Sequence, residues 1–221
     1  VLARTGPVDA IDEYYQPGLG WVFRRRLHWV SAALPESLGR VLQVGYGSGI
    51  EQFFLAPDAQ FSAGVDVHPN GPAVARALAT AGLRCSLVRA DGQALPFADR
   101  SFDTVVIVSA LEFIPDPGLA LNEAMRVLAP GGRLVALRPR VLRWADVLYH
   151  ALSGRDPESD FQGGRQRVAA ALELLSGSGA GQLRVTRRRR PGVLPGAWAP
   201  YEVVVVDRTR AGRDAGPDLD H

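Results

Sequence analysis

"VLQVGYGSGI", Val41–Ile50, is the stretch on which the fold turns. Val41, Leu42 and Val44 form a short apolar run of the kind that makes a fully buried strand. Gly45, Gly47 and Gly49 follow at once, and a helical pattern begins at Glu51. Glycines in such a turn let the backbone bend sharply and approach a ligand without a Cβ in the way. The freed N–H groups and the start of the next helix favour a carboxylate or a phosphate. Gln43 is the one polar residue within the run.

The same rhythm continues outward. "FSAGVDV" (61–67), "LRCSLVRA" (83–90), "FDTVVIVSA" (102–110) and "GRLVALRP" (132–139) read as further strands, without the polar alternation of a half-exposed sheet. Between them "EQFFLAP", "GPAVARALATAG" and "PGLALNEAMRVLAPGG" read as helices, the last stopped by Pro130-Gly131-Gly132. Alternation of this kind specifies a doubly wound α/β sheet with right-handed crossovers. The C-terminal third departs from it. Helical patterns at 141–154 and 165–179 are followed by "QLRVTRRRR" and "YEVVVVDR", two strands with only a Pro/Gly-rich loop between them, hence an antiparallel pair at a sheet edge. Residues 1–38 read as an N-terminal helical lid carrying Tyr14, Tyr15, Trp21, Phe23 and Trp29. Residues 39–207 read as the main domain, with 139–165 as a substrate-side insertion and 208–221 as a polar, disordered tail.

Composition narrows the class. The 221 residues are 47% hydrophobic and 22% charged, as in an ordinary soluble domain, and the net charge of +2 is too small to indicate nucleic acid. No apolar run is long enough to span a membrane. All the basic side chains are arginine, which suggests a GC-rich bacterial genome. The N-terminus lacks the pattern of a secretory signal, and it also lacks a methionine, so the residues read as part of a longer translated chain. Cys85 is the single cysteine, so no internal disulfide forms and the cytoplasm is the expected compartment. His28, His68, His150 and His221 lie far apart with no ligand spacing, so no metal site is expected.

Asp66 ends the second strand, where a carboxylate can accept both hydroxyls of a ribose. Glycine loop and carboxylate together fit a nicotinamide dinucleotide as well as S-adenosylmethionine. The third and fourth strands separate the two. "RADGQALPFADRSFDTVV" places Asp91 beyond strand three, then Leu95-Pro96-Phe97, then Ser101-Phe102-Asp103 entering strand four. With "ALEFIPDP" and "EAMRVLAPGGRLVAL", this resembles the class I S-adenosylmethionine-dependent methyltransferases, in particular the broad small-molecule (type 11-like) family.

The resemblance implies a Rossmann-like, doubly wound, seven-stranded sheet, mostly parallel with an antiparallel C-terminal pair. It implies S-adenosylmethionine as cofactor and a small-molecule acceptor (metabolite, quinone, lipid or natural product) methylated at oxygen, nitrogen or carbon. Gly45, Gly47 and Gly49 would approach the methionine moiety, with Tyr46 lining the loop. Asp66 would hold the ribose, Val67 or His68 would flank the adenine, and Asp91, with Gly92 beside it, would accept from the adenine amino group. Ser109 and Ala110 would lie beneath the methionine end, and Tyr14 would close over the cofactor. Two positions depart from the family pattern. Gln43 replaces the usual acidic residue, and Phe113 replaces a frequent histidine.

The catalytic residues stay open. Glu112 reads equally as a contact to substrate or cofactor and as a solvated helix start, while His28 and His150 are the imidazole candidates. Arg24-Arg25-Arg26 and Arg187 to Arg190 read as solvated surface rather than as a membrane or anion site. Two alternatives remain beside methyl transfer: an S-adenosylmethionine-binding protein without catalysis, and a nicotinamide-dependent oxidoreductase.

Overall fold

The computed structural model describes residues 2, 4–6, 9, 11–15, 19–153, 156, 159, 161, 163–178, 183–189 and 200–209. The strands are β1 (Arg40–Val44), β2 (Phe61–Asp66), β3 (Ser86–Arg89), β4 (Phe102–Val108), β5 (Leu128–Pro139), β6 (Leu183–Arg189) and β7 (Tyr201–Arg208). They form one sheet in the order β3-β2-β1-β4-β5-β7-β6. The first five pair in parallel, while β7 runs antiparallel to both β5 and β6. The expected antiparallel pair is present, with β7 inserted between β5 and the edge strand β6. Arg190, most of the loop at 190–200 and the tail from 210 lie outside the described residues.

The strand pattern explains why two helical layers are needed. In β1, Leu42 and Val44 face one way and Val41 the other; β4 splits Val105 and Ile107 from Val106 and Val108. Every face is apolar, so each must be covered. On the first face lie α4 (Pro117–Val127), through Ala120, Leu121, Ala124 and Val127, and α6 (Gly164–Ser178), through Val168, Ala171, Leu172 and Leu175. On the second lie Trp29 and Val30 of α1 (Leu19–Ser31) and Leu55 of α2 (Gln52–Leu55). The third cluster joins Tyr46 to Val74 and Leu78 of α3 (Gly71–Thr80). Helix α5 (Arg143–Ser153) follows β5, and short 3-10 turns occupy Asp12–Tyr15 and Leu111–Phe113.

Several boundaries differ from the sequence expectation. Helix α2 is a single turn, because Pro57 removes the next amide donor. Strand β3 begins only at Ser86, and α4 ends at Val127, with Leu128 already pairing with Phe102 in β5. The register shift between Phe102 and Thr104 absorbs the Pro130-Gly131-Gly132 turn within the strand. No helix among the described residues is long and apolar enough to cross a membrane.

The start of α4 is built by a side chain. Asp116 Oδ1 accepts from the N–H groups of Gly118 (2.9 Å) and Leu119 (3.1 Å), and Pro117 takes the first helical position. Asp116→Ala is expected to cost about 1 kcal/mol, seen in thermal unfolding as a Tm lower by roughly 2–4 °C.

Candidate functional site

Strand order reverses between β1, which leads outward to β2 and β3, and β4, which leads to β5. Crevices form at the carboxyl ends of strands at such a switch point. Here a cavity of about 660 Å³ is lined by the residues that leave β1, β2, β3 and β4.

The loop after β1 takes a conformation that glycine favours: φ is +76° at Gly45, +48° at Gly47 and +83° at Gly49. A Cβ on Gly45 would lie 2.4 Å from Ala110 Cβ, so the turns leaving β1 and β4 pack directly on each other. Gly47 N–H donates to Asp66 Oδ2 (2.8 Å), and His68 N–H to Oδ1 (3.3 Å). His68 Nδ1 accepts from Asn70 N–H (3.1 Å), so the proton of the neutral ring is on Nε2, which donates to Gly47 O (3.0 Å). Both polar groups of the Gly47 peptide region are thus tied to the end of β2. Asp91 accepts from Gln93 N–H (2.9 Å) and Nε2, and Gly92 backs onto Val44.

Gly45, Tyr46, Gly47, Asp66, Val67, His68, Asp91, Gly92, Ser109, Ala110, Tyr14 and Glu112 all line this cavity. Gly49 does not. A Cβ there would meet Val74 Cγ1 at 2.9 Å, so its task is to let α3 pack under the loop. Tyr46 shows little of itself to the cavity. Its ring is 1% exposed, edge-on to His68 (4.9 Å between centroids), and burial pushes its hydroxyl up to about 12. His28 and His150 are outside the lining. The first is two residues from the buried Arg26 and so turned away from it; the second follows the cavity-lining Tyr149 by one helical step. Tyr15 is 72% exposed and also outside. Phe113 forms part of an apolar wall, as its residue type implies, with Phe161 at 5.6 Å and Tyr149 tilted against that ring at 6.3 Å.

Beneath the loop runs a buried polar chain. Gln43, with no exposure, donates from Nε2 to Glu51 Oε2 (3.0 Å) and accepts at Oε1 from Gln52 Nε2 (2.6 Å). Ser62 Oγ donates to Gln52 Oε1 (2.6 Å). Burial pushes the Glu51 carboxyl up to about 7, against the pull of Gln43 and Arg26. Glu112 is also pushed up to about 7 by burial, although Arg26, Arg138 and Arg165 pull it down. Neither Glu112 oxygen has a hydrogen-bond partner among the described residues. Its backbone is held by α6, since Gly164 lies too close to the Glu112 carbonyl to carry a Cβ. Two of these arginines have carboxylates of their own, Arg138 pairing with Glu202 (2.8 Å) and Arg165 with Asp146.

Arg26 corrects the reading of its run as solvated surface. It is only 6% exposed and lines the cavity, with the Phe23 ring 4.4 Å and the Tyr201 ring 5.0 Å from its guanidinium carbon. The signal was in the sequence, because Phe23, Arg26 and Val30 share one helical face. Glu51, Tyr201, Tyr149 and Phe161 also line the cavity without having been singled out. No local pattern marks them, since they arrive from four separate segments.

Residues 42–136 match the family described as "Methyltransferase domain". A demethylmenaquinone methyltransferase from Thermus thermophilus is 39% identical over 133 residues, covering 58% of this chain and 59% of that protein. One from Clavibacter sepedonicus is 34% identical over 110 residues, covering 50% of this chain and 45% of that protein. The chain therefore spans about half the length of these curated relatives. The crystal structure of the N-methyltransferase NodS from Bradyrhizobium japonicum, in complex with S-adenosyl-L-homocysteine, aligns with a TM-score of 0.62 at 18% identity. That alignment covers 90% of this chain and 92% of NodS, and at this identity the likeness is one of fold.

Glu51 and Glu112 titrate higher in the folded chain than in the unfolded one, so the folded state binds more protons between about pH 4.5 and 7. Their contribution to stability is complete below that window and lost as pH rises through it. The ligand-free protein is expected to melt several degrees higher at pH 5.5 than at pH 8, and Glu112→Gln to flatten the difference. Gln43→Asp would set a second carboxylate against Glu51 in a buried site. Its Tm should fall, and the double variant Gln43→Asp, Glu51→Gln should recover most of the loss, which differential scanning of the set would show.

Proposed function

We propose that this chain, whose residues 42–136 match a methyltransferase-domain family, transfers the methyl group of S-adenosylmethionine to an oxygen, nitrogen or carbon nucleophile of a small molecule with a flat apolar body. The observation that carries this reading is the switch-point cavity. In it Asp66 stands at the end of β2, latched to the Gly47 amide, with Asp91 at the end of β3.

The residues suit the cofactor. Asp66 keeps unused lone pairs for the ribose hydroxyls, and Val67, 62% exposed at the cavity, offers an apolar face to a base. Asp91 offers a carboxylate to an exocyclic amine. Ser109 holds φ +47° where β4 ends, and its hydroxyl, buried without a partner among the described residues, is available to a bound polar group. When bound, S-adenosylmethionine supplies an electrophilic methyl on a cationic sulfur.

The protein's part is then mostly placement. Thr5, Asp9 and Tyr14 from the N-terminal segment and Pro139, Tyr149 and Phe161 from the chain after β4 are among the lining. The aromatic wall of Phe113, Phe161 and Tyr149 would hold a planar acceptor by its faces and exclude water. Glu112 gives that acceptor a buried carboxylate to which an O–H or N–H can donate and lose its proton. The names of the relatives from Thermus and Clavibacter support a reduced quinone as the first acceptor to try.

The test is release of S-adenosylhomocysteine from S-adenosylmethionine with naphthohydroquinone, catechol, phenol and amine acceptors. Turnover with at least one member is expected, and Asp66→Ala should weaken S-adenosylhomocysteine binding at least tenfold. Binding without turnover across the panel would favour a non-catalytic binding protein, and tight NAD binding in its place would return the oxidoreductase reading.

A further inference from the structure

Glu112 is placed to take a proton, yet burial holds its own proton on it until near neutral pH. Its side chain lines the cavity at 1% exposure, and neither oxygen has a hydrogen-bond partner among the described residues. Three arginines act on it from three elements: Arg26 of α1, Arg138 of β5 and Arg165 of α6. Arg138 is engaged by Glu202, which accepts from its Nε (3.1 Å) and Nη2 (2.8 Å), and Arg165 by Asp146. Arg26 alone of the three lines the cavity, and its guanidinium makes only long hydrogen bonds, to Tyr201 Oη (3.3 Å) and Tyr14 Oη (3.5 Å). The same arginine also attracts Glu51, which is 7% exposed, held by the neutral amide of Gln43 and repelled by Asp9. One cation thus serves two buried carboxyls in one cavity. Burial outweighs its pull on both, and each is pushed up to about 7.

A protonated carboxyl cannot accept the proton of an O–H or N–H, so Glu112 must ionise before it can act. A positive charge brought into a water-poor cavity favours the ionised form of a nearby carboxyl. The two ligands of a methyl transfer differ by that charge, S-adenosylmethionine carrying a sulfonium and S-adenosylhomocysteine a neutral thioether. Glu112 lies two residues beyond Ala110, which packs on Gly45, so its turn faces the glycine loop.

We propose that Arg26 is a positioning residue whose charge is divided between Glu51 and Glu112, so that Glu112 gives up its proton when a cationic ligand enters the cavity and is thereby armed as the base. This rests on the cofactor and base readings given above. Charge then balances through the cycle. Glu112 loses a proton to solvent as the cation binds. During transfer the O–H or N–H proton of the acceptor passes to Glu112, the acceptor's electron pair forms the new bond to the methyl carbon, and the sulfur keeps the pair of the broken C–S bond. The cavity ends with a neutral carboxyl beside a neutral thioether, the state that burial favours. A carboxylate left ionised throughout would be an uncompensated buried charge in the empty protein.

Calorimetry of the full chain at pH 7, in two buffers of different ionisation enthalpy, counts the protons exchanged on binding. S-adenosylmethionine without acceptor is expected to release roughly half a proton, and S-adenosylhomocysteine none. Glu112→Gln should abolish the release. Glu51→Gln should keep it and move it to lower pH, since Arg26 then serves Glu112 alone, while Arg26→Met should move it to higher pH and Arg26→Lys restore it. Equal proton counts for the two ligands, or a release that survives Glu112→Gln, would overturn the assignment. Should the variants fail to fold, the wild-type comparison of the two ligands still decides. Failure of both ligands to bind would refute the cofactor reading instead.

Discussion

Strand β1 has hydrogen-bonded neighbours on both sides, in a sheet whose order reverses between it and β4. The chain that leaves Val44 must therefore turn at once, in the narrow space between the turns leaving β2 and β4. Contact with Ala110 leaves no room for a Cβ at Gly45, and the carboxylate of Asp66 captures the next free amide, at Gly47. This constraint creates the cavity. It also places every later element of the site, since β2 and β3 deliver Asp66 and Asp91 at the same level, and β4 delivers Ser109, Ala110 and Glu112 opposite them.

The second organising feature is charge held away from water. A cavity floor with Arg26, Glu51 and Glu112 all less than a tenth exposed is an unfavourable arrangement for an empty protein. The apolar layers carry that cost. The central strands are buried on both faces by α1, α4 and α6, and that packing holds the charged groups where they would otherwise move to solvent. Stability and function draw on the same residues in opposite directions, which is the usual condition of a binding site.

Much of this was legible in the sequence. The apolar runs of β1, β2 and β4 mark buried strands, and the glycine loop, Asp66 and Asp91 all fall in the lining of the cavity. Gly49 was assigned to the ligand because motif spacing does not say which glycine faces inward; the contact with Val74 and Leu78 does. Arg26 was missed because three consecutive arginines look like surface, although only one of them falls on the Phe23–Val30 face. Gln43 looked like a simple loss of charge when position 43 was considered alone. The carboxylate it donates to, Glu51, is eight residues away, across the loop, and only the folded chain brings the two together.

The central claim is that this cavity holds S-adenosylmethionine by its adenosine on the Asp66–Asp91 side and by its amino-acid end over Gly45–Gly47. A crystal structure of the protein with S-adenosylhomocysteine tests it most directly. The expected density places the ribose on the Asp66 carboxylate, the adenine beside Val67 and Asp91, and the homocysteine tail over Gly45–Gly47. Density bound elsewhere, or in the cavity with the adenine turned toward Phe113 and Phe161, would contradict it.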